Sequence, residues 1–319
     1  SWTHEAGENG ERQVRLKGEY RYDDRDNDSP VDTYNWVRVD SAPGDSTENR
    51  IYSYTRDTVD LEASARLDKN SRFYVGYRYD GWDRDDQERD ETDTDRYWAR
   101  FRFDSGGVVD FRATLGSESR GGSNYKALVN DDFAPQNPLM RKYNLAHRNR
   151  DFAEVGLSAS LSDTPISIGM TYLWAEDDYS KSELGMLEGS EDRFTVDFNW
   201  AVGENSSLYL TAGSEALESL QRGSETFSGP EWEAAHDDDF MHYGGGFRIA
   251  GIGEKVALTF DYTRSDGETE ILVTGPVVSA TPRASAVAKA CTPLARSRHM
   301  PVAPVSIAVL IDRIRVSGP

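Results

Sequence analysis

Between Arg193 and Gly213 the chain reads RFTVDFNWAVGENSSLYLTAG. Phe194, Val196, Phe198, Trp200 and Val202 take alternate positions, with Thr195, Asp197, Asn199 and Ala201 between them. Successive side chains of an extended strand point to opposite faces, so this alternation predicts a strand with one apolar and one polar face. Gly203-Glu204-Asn205-Ser206 has turn chemistry, and Leu208, Leu210 and Ala212 resume the alternation. The segment is expected to be a β-hairpin.

The same pattern returns along the chain. It runs through Val14, Leu16, Gly18, Tyr20 and Tyr22, through Val59, Leu61, Ala63, Ala65 and Leu67, and through Phe73, Val75, Tyr77 and Tyr79. Tyr97 to Phe103, Val109 to Ala113, Val155 to Leu161 and Ile166 to Trp174 follow, and a last pair is expected near 239–249 and 255–264. That makes about eleven strands, with a weaker candidate near Tyr34–Val39. Turns such as Asp68-Lys69-Asn70-Ser71, Asp104-Ser105-Gly106-Gly107 and Ser162-Asp163-Thr164-Pro165 are short, whereas the connections 81–94, 117–150, 177–191 and 217–238 are long. In an antiparallel meander, alternate connections lie at opposite ends of the sheet. One end is therefore trimmed and the other elaborated, as in outer-membrane barrels.

Segment length agrees with a membrane span of about 9–11 tilted residues. Tyr77, Tyr79, Tyr97, Trp98, Tyr172, Trp174, Trp200 and Tyr262 sit near strand ends, where amphipathic rings favour the membrane–water boundary. A soluble antiparallel sandwich would show the same alternation, its apolar faces meeting each other. It has no reason to keep every second connection short. The expected fold is all-β, an antiparallel transmembrane β-barrel meander forming a partial barrel of about 11–12 strands. Short turns would lie at one end and long acidic loops at the other.

Composition sharpens this picture. The 319 residues carry 56 Asp and Glu against 36 Lys and Arg, a net charge of -20. With a mean hydropathy of -0.69 that balance alone would suit a solvated or disordered chain. Sixteen Tyr, 12 Phe and 7 Trp argue otherwise, because disordered chains are poor in aromatics. No apolar run reaches 18 residues, so no membrane-spanning helix is expected. The acidic balance argues against a nucleic-acid partner, which wants a basic face. Cys291 is the single cysteine, which excludes an intramolecular disulfide and a CxxCH haem-attachment motif.

Few residues suggest chemistry. Segment 80–95 holds nine acidic and two basic residues, but its spacing matches no calcium loop and a solvated loop is the simpler reading. His236-Asp237-Asp238-Asp239 lacks a nearby His or Cys partner, His242 reads as an interior-facing residue, and Gly244-Gly245-Gly246 leaves room for a close neighbour or a bend. No nucleophile–base constellation stands out, so no enzyme is expected, and neither is a bound metal or cofactor. The one basic cluster, Arg141, Lys142, His147, Arg148 and Arg150, is a candidate site for an acidic partner or lipopolysaccharide phosphates. An ordered loop pairing with acidic neighbours is the alternative.

Two stretches carry a resemblance. One is YVGYRYDGWDRDDQERDETDTDRYWARFRF, Tyr74 to Phe103. The other runs from Gly122 to Trp200 and contains RKYNLAHR, Arg141 to Arg148, and Asp178-Tyr179 followed by Ser182 and Leu184-Gly185. Over roughly residues 11–270 the chain resembles the MtrB/PioB family, the outer-membrane β-barrels associated with decahaem cytochromes. The resemblance implies a bacterial outer-membrane sheath that houses a periplasmic multihaem (decahaem) cytochrome c in its lumen and supports electron transfer across the membrane. An extracellular multihaem cytochrome would meet it outside, and the haem would belong to the partner. It also implies more strands than are counted here and, in some members, an N-terminal cysteine pair that this chain lacks.

Residues 1–270 are therefore expected to form the barrel domain. The chain opens on Ser1 in mid-pattern and is expected to be a fragment whose N-terminal strands are missing. Residues 271–319 differ, with six of the twelve prolines, six Lys or Arg against one acidic residue, and no aromatic. They are expected to be disordered or the product of a reading-frame error, which would leave the last strand with an open edge. Three functions stay open at this level: a cytochrome sheath, a porin-like solute channel and a soluble secreted β protein.

Overall fold

A computed structural model describes residues 2–6, 14–35, 46–49, 51–126, 137–161, 164–252, 256–275, 297–298 and 305–311. Every regular element among them is a strand. In chain order these are β1 (Trp2–Ala6), β2 (Val14–Arg25), β3 (Thr33–Asn35), β4 (Ser46–Glu48), β5 (Tyr54–Arg66) and β6 (Ser71–Arg84). β7 (Glu91–Asp104), β8 (Val109–Gly122), β9 (Met140–Arg141), β10 (Arg148–Ser160), β11 (Ile166–Asp178) and β12 (Leu184–Ala201) follow. β13 (Ser206–Gly223), β14 (Trp232–Ile252), β15 (Val256–Thr274), β16 (Ser297–Arg298) and β17 (Val305–Ile311) complete the list.

Twelve of them form one antiparallel meander, in the order β1-β2-β5-β6-β7-β8-β10-β11-β12-β13-β14-β15. No pairing among the described residues joins β1 to the other end, so the sheet is open. The weak candidate near Tyr34 is a small hairpin of β3 and β4 inside the connection between β2 and β5, and 36–45 lie outside the described residues. β15 crosses residue 270 without a break and ends at Thr274. Its edge is not left open over its first seven residues, because β17 pairs with Val256–Tyr262. Val305–Ile311 lies between Pro304 and Pro319 and is rich in β-branched residues, which lets it donate to a ladder that the surrounding prolines could not.

Register places the expected apolar positions on one face. Val155 lies opposite Ala113 and Tyr172, Tyr172 opposite Phe194, and Phe198 opposite Ile168 and Leu210. No described residue from outside the sheet packs on this face. Leu115 is 65 % exposed, Tyr97 60 %, Phe194 42 % and Trp200 39 %. A sandwich would have buried these side chains against a second sheet, and the soluble reading fails on that point. At one border of the apolar face tyrosines bond diagonally to aspartates of the next strand. Tyr20 donates to Asp57 at 2.5 Å, Tyr77 to Asp95 at 2.6 Å, Tyr79 to Asp93 at 2.5 Å, and Tyr172 to Asp192. Each aspartate is two residues beyond the tyrosine's direct partner, a reach that suits long side chains. These pairs mark where the apolar band gives way to charge. Trp98 differs from the expectation, since it lies on the polar face opposite Gly76 and Gly116.

The short turns are as expected at 67–70, 105–108 and 202–205, and 161–165 is an equally short connection, of which 162–163 lie outside the described residues. Asp68 accepts from the amides of Asn70 and Ser71 at 2.7 and 2.8 Å, which holds its carboxyl below the usual range. Gly106 and Gly107, at φ of 85° and 95°, donate to Asp104 at 2.8 and 3.0 Å. These positive φ values favour glycine. The long connections are shorter than expected, because the strands run on. The connections are 85–90, 179–183, 224–231 and 123–147, the last containing β9 and residues 127–136 outside the described ones, and the strands from β5 to β15, β9 aside, have 13 to 21 residues. The extensions are acidic on both faces, as in Asp237-Asp238-Asp239, so alternation does not reveal them. The ladder continues there because backbone pairing does not need an apolar side chain.

A charge on the apolar face should be costly where one on the polar face is not. Phe198→Arg, within the apolar run Phe194–Trp200 of β12, is expected to destabilise the complete protein in lipid vesicles by roughly 2–4 kcal/mol. Its neighbour Asn199→Arg, on the polar face, should change stability little. Urea unfolding followed by tryptophan fluorescence compares the two, and equal losses would contradict the assignment of faces.

Candidate partner-binding face

The polar face is built from every second residue of the same strands. Across β6, β7, β8 and β10 it brings Gly76, Trp98, Gly116 and Phe152 into one row. A Cβ on Gly76 would stand 2.1 Å from the Trp98 ring, and one on Gly116 2.5 Å from the Phe152 ring. Each ring thus lies flat over a glycine, which supplies the space a side chain would fill. Arginines stack on the rings. Arg96 lies 4.2 Å over Phe152, Arg100 4.6 Å over Trp98, and Arg56 and Arg84 4.6 and 4.8 Å from Trp82. These distances are in cation–π range.

Carboxylates neutralise part of this wall. Arg56 grips Asp80 with two bonds of 2.7 and 2.9 Å, Arg102 meets Asp110 at 2.7 Å, and Arg112 meets Glu154 at 2.5 Å. At the long-loop end, Arg78, Arg84, Arg96, Arg120 and Arg148 surround a concavity of about 420 Å³, with Asp80 and Glu118 as its acidic groups.

A loop cluster covers this end of the face. β9 runs parallel to the start of β12, with Met140 opposite Leu184 and Arg141 opposite Gly185. Gly185 has φ of 107°, and a Cβ there would stand 2.2 Å from the Arg141 carbonyl oxygen. The two family-like motifs, RKYNLAHR and the Leu184-Gly185 segment, therefore meet through a glycine. Leu145, Ala146, Tyr179, Ser182, Leu184 and Leu187 are all buried here, Leu184 completely. Arg89, also buried, donates to the Leu145 carbonyl at 2.8 Å, and burial beside Arg120 and Arg141 pushes its guanidinium below the usual range. Asn137 donates to the Ser228 carbonyl at 3.0 Å, which ties in the loop 224–231. In that loop Glu231 accepts from the hydroxyl and amide of Thr226, the amide of Glu225 and the Ser224 hydroxyl, and is held down at about 2.

The five candidate residues separate. Arg148 and Arg150 sit on the polar face of β10, Arg148 with Glu118 and Asp177, Arg150 with Asp177 at 3.7 Å and Glu191 at 3.0 Å. Lys142 pairs with the buried Glu88. Arg141 stacks 4.5 Å from the Tyr125 ring and donates to the Pro138 and Met140 carbonyls. His147 is half-buried, and burial with Arg89 and Lys181 nearby pushes its imidazole below the ordinary value. The cluster is thus largely engaged with its own acidic neighbours. The acidic segment 80–95 is engaged likewise, through Glu88 and through Asp90 with Lys126 at 2.8 Å. His236 contacts Gln221 at 2.6 Å, His242 lies over Gly213, and the Tyr209 ring lies over Gly246, so the glycine run does make room for neighbours. The polar-face arginines and the stacked Trp98 and Phe152 were missed as a site. Their signal was the alternate-position run Arg96, Trp98, Arg100 and Arg102.

The profile of the family described as "Putative outer membrane beta-barrel porin, MtrB/PioB" matches residues 5–294. The chain is also 29 % identical over 262 residues to "Outer membrane protein MtrB" of Shewanella baltica (strain OS185). That alignment covers 82 % of this chain and 37 % of the relative, so the chain spans little more than a third of the protein it matches.

Two outcomes are expected from the loop cluster. Gly185→Ala strains a left-handed backbone and collides with Arg141, and should cost the cluster roughly 1–3 kcal/mol. Faster proteolysis within 137–147, with the strands still protected, would report it. His147 has its folded value below its ordinary 6.5, so its stabilising effect is present above 6.5 and is lost as pH falls below that towards the folded value. The protection of amides 142–147, taken relative to their intrinsic exchange at each pH, should therefore fall between pH 7.5 and 5, and His147→Gln should reduce the difference.

Proposed function

Because the chain belongs to the MtrB/PioB family of outer-membrane β-barrels, we propose that it is part of the wall of a sheath enclosing a periplasmic multihaem cytochrome c. The barrel lies in the outer membrane with its apolar face in lipid, and its polar face lines the lumen. The observation that carries the proposal is the character of that lumen face. It is dense in guanidiniums stacked on flat aromatic rings, with a relief that another protein can pack against. In this reading the wall insulates and positions the cytochrome, the haem is carried by the partner, and the chain itself performs no catalysis. Its one cysteine and lack of CxxCH agree with that division of labour. A second multihaem cytochrome outside the cell would receive or deliver the electrons.

A porin-like solute channel is the second reading, favoured by the word porin in the family description and by the charged lumen. Purification separates the two. The complete protein, extracted from the outer membrane, is expected to bring with it a haem-staining polypeptide and to show little conductance in planar bilayers. A haem-free barrel with steady ion conductance would instead support the channel.

A further inference from the structure

We infer that the lumen wall is charged in two opposed sectors that fix how the enclosed protein is turned about the barrel axis. The acid-rich side of that protein would lie against β5–β10 and its basic side against β11–β15. This inference rests on the sheath reading.

The lumen-facing positions of β5, β6, β7, β8 and β10 carry twelve arginines and seven carboxylates. Those of β11 to β15 carry six carboxylates and two arginines. A chain with a net charge of -20 has thus gathered most of its lumenal arginine into one sector. Internal pairing does not account for the arrangement. Arg66, Arg72, Arg102 and Arg112 stand directly opposite one another across four adjacent strands. Arg78 stands directly opposite Arg96. Like charges in such positions repel and destabilise a sheet.

The available carboxylates are also used elsewhere. Arg78 reaches Asp60 only at 3.8 Å, and the Arg96 guanidinium makes no hydrogen bond or ion pair with any described residue. Instead Arg96 is held flat on Phe152, beside the concavity of about 420 Å³. A guanidinium fixed by stacking keeps its donors available for a carboxylate. In the other sector, Asp197 and Asp238 face the lumen with no ion partner among the described residues. The occupant that satisfies both sectors is a protein with one carboxylate-rich side and one amine- or guanidinium-rich side. Complementary sectors of this kind set register and suppress the wrong orientation.

Zero-length carbodiimide coupling tests the orientation in the complete protein with its haem polypeptide bound. Arg78→Lys and Arg96→Lys place amines in the first sector, and Asp197→Lys places one in the second. The first two are expected to couple to carboxylates of the haem polypeptide, and Asp197→Lys is not. Equal coupling from both sectors, or coupling from Asp197→Lys alone, would overturn the inference. In parallel, Arg78→Glu with Arg96→Glu should release the haem polypeptide roughly tenfold faster at physiological salt. Arg78→Gln with Arg96→Gln should do so to a lesser degree, and serves if the charge-reversed barrel does not assemble. Unchanged release with an unchanged salt dependence would count against the sectors while leaving the sheath intact. A wild-type protein that carries no haem polypeptide would remove the sheath reading itself.

Discussion

In hydrocarbon no water is present to satisfy a backbone amide or carbonyl, and this one constraint orders the rest of the molecule. Each strand of the meander satisfies its neighbours over nearly its whole length, as the unbroken registers from β5 to β12 show. Once both edges of a strand are occupied, only its two faces remain free to differ. One meets lipid and is apolar. The other meets the lumen and can carry whatever the interior requires. The alternation of side chains is therefore a consequence of backbone accounting, and the outward display of Phe194 or Leu115 is affordable only because lipid is the solvent on that side.

The hydrophobic core is correspondingly displaced. A soluble domain would concentrate its buried apolar residues between layers. Here they cluster in the connections at one end, around Leu145, Tyr179, Leu184 and Leu187. The parallel contact of β9 with β12 and the bond from Arg89 to Leu145 make this cluster a folded unit rather than a set of trailing loops. The barrel wall takes its stability from ladders and lipid, and the loop cluster from conventional burial.

Much of this was legible in the chain. The alternation of Phe194 to Trp200 or Ile166 to Trp174 reflects two solvents on two faces, and it located the spans and the short turns. It failed where the solvent becomes the same on both faces. Glu188 to Asp192 and Asp237 to Asp239 look like loops by composition and are strand by backbone pairing. The basic run from Arg141 to Arg150 was visible as a cluster, but its separation into loop and lumen residues depends on where β10 begins. Trp98 misled and Phe152 went unread because a polar face with aromatics on it breaks the simple pattern. Only the cross-strand register, which sets Gly76 and Gly116 beside them, explains why they belong there.

Those glycines have a mechanical consequence. An indole or phenyl ring that stands upright on a wall narrows the bore by its own length, whereas one lying along the backbone takes almost nothing from it. With Trp98 laid over Gly76, Phe152 over Gly116, Tyr209 over Gly246 and His242 over Gly213, these rings take little of the clearance, and Arg96 and Arg100 are what stand above Phe152 and Trp98. The bulky rings are then paving rather than obstacles. A bulky object can be slid along such a surface without each ring having to swing aside.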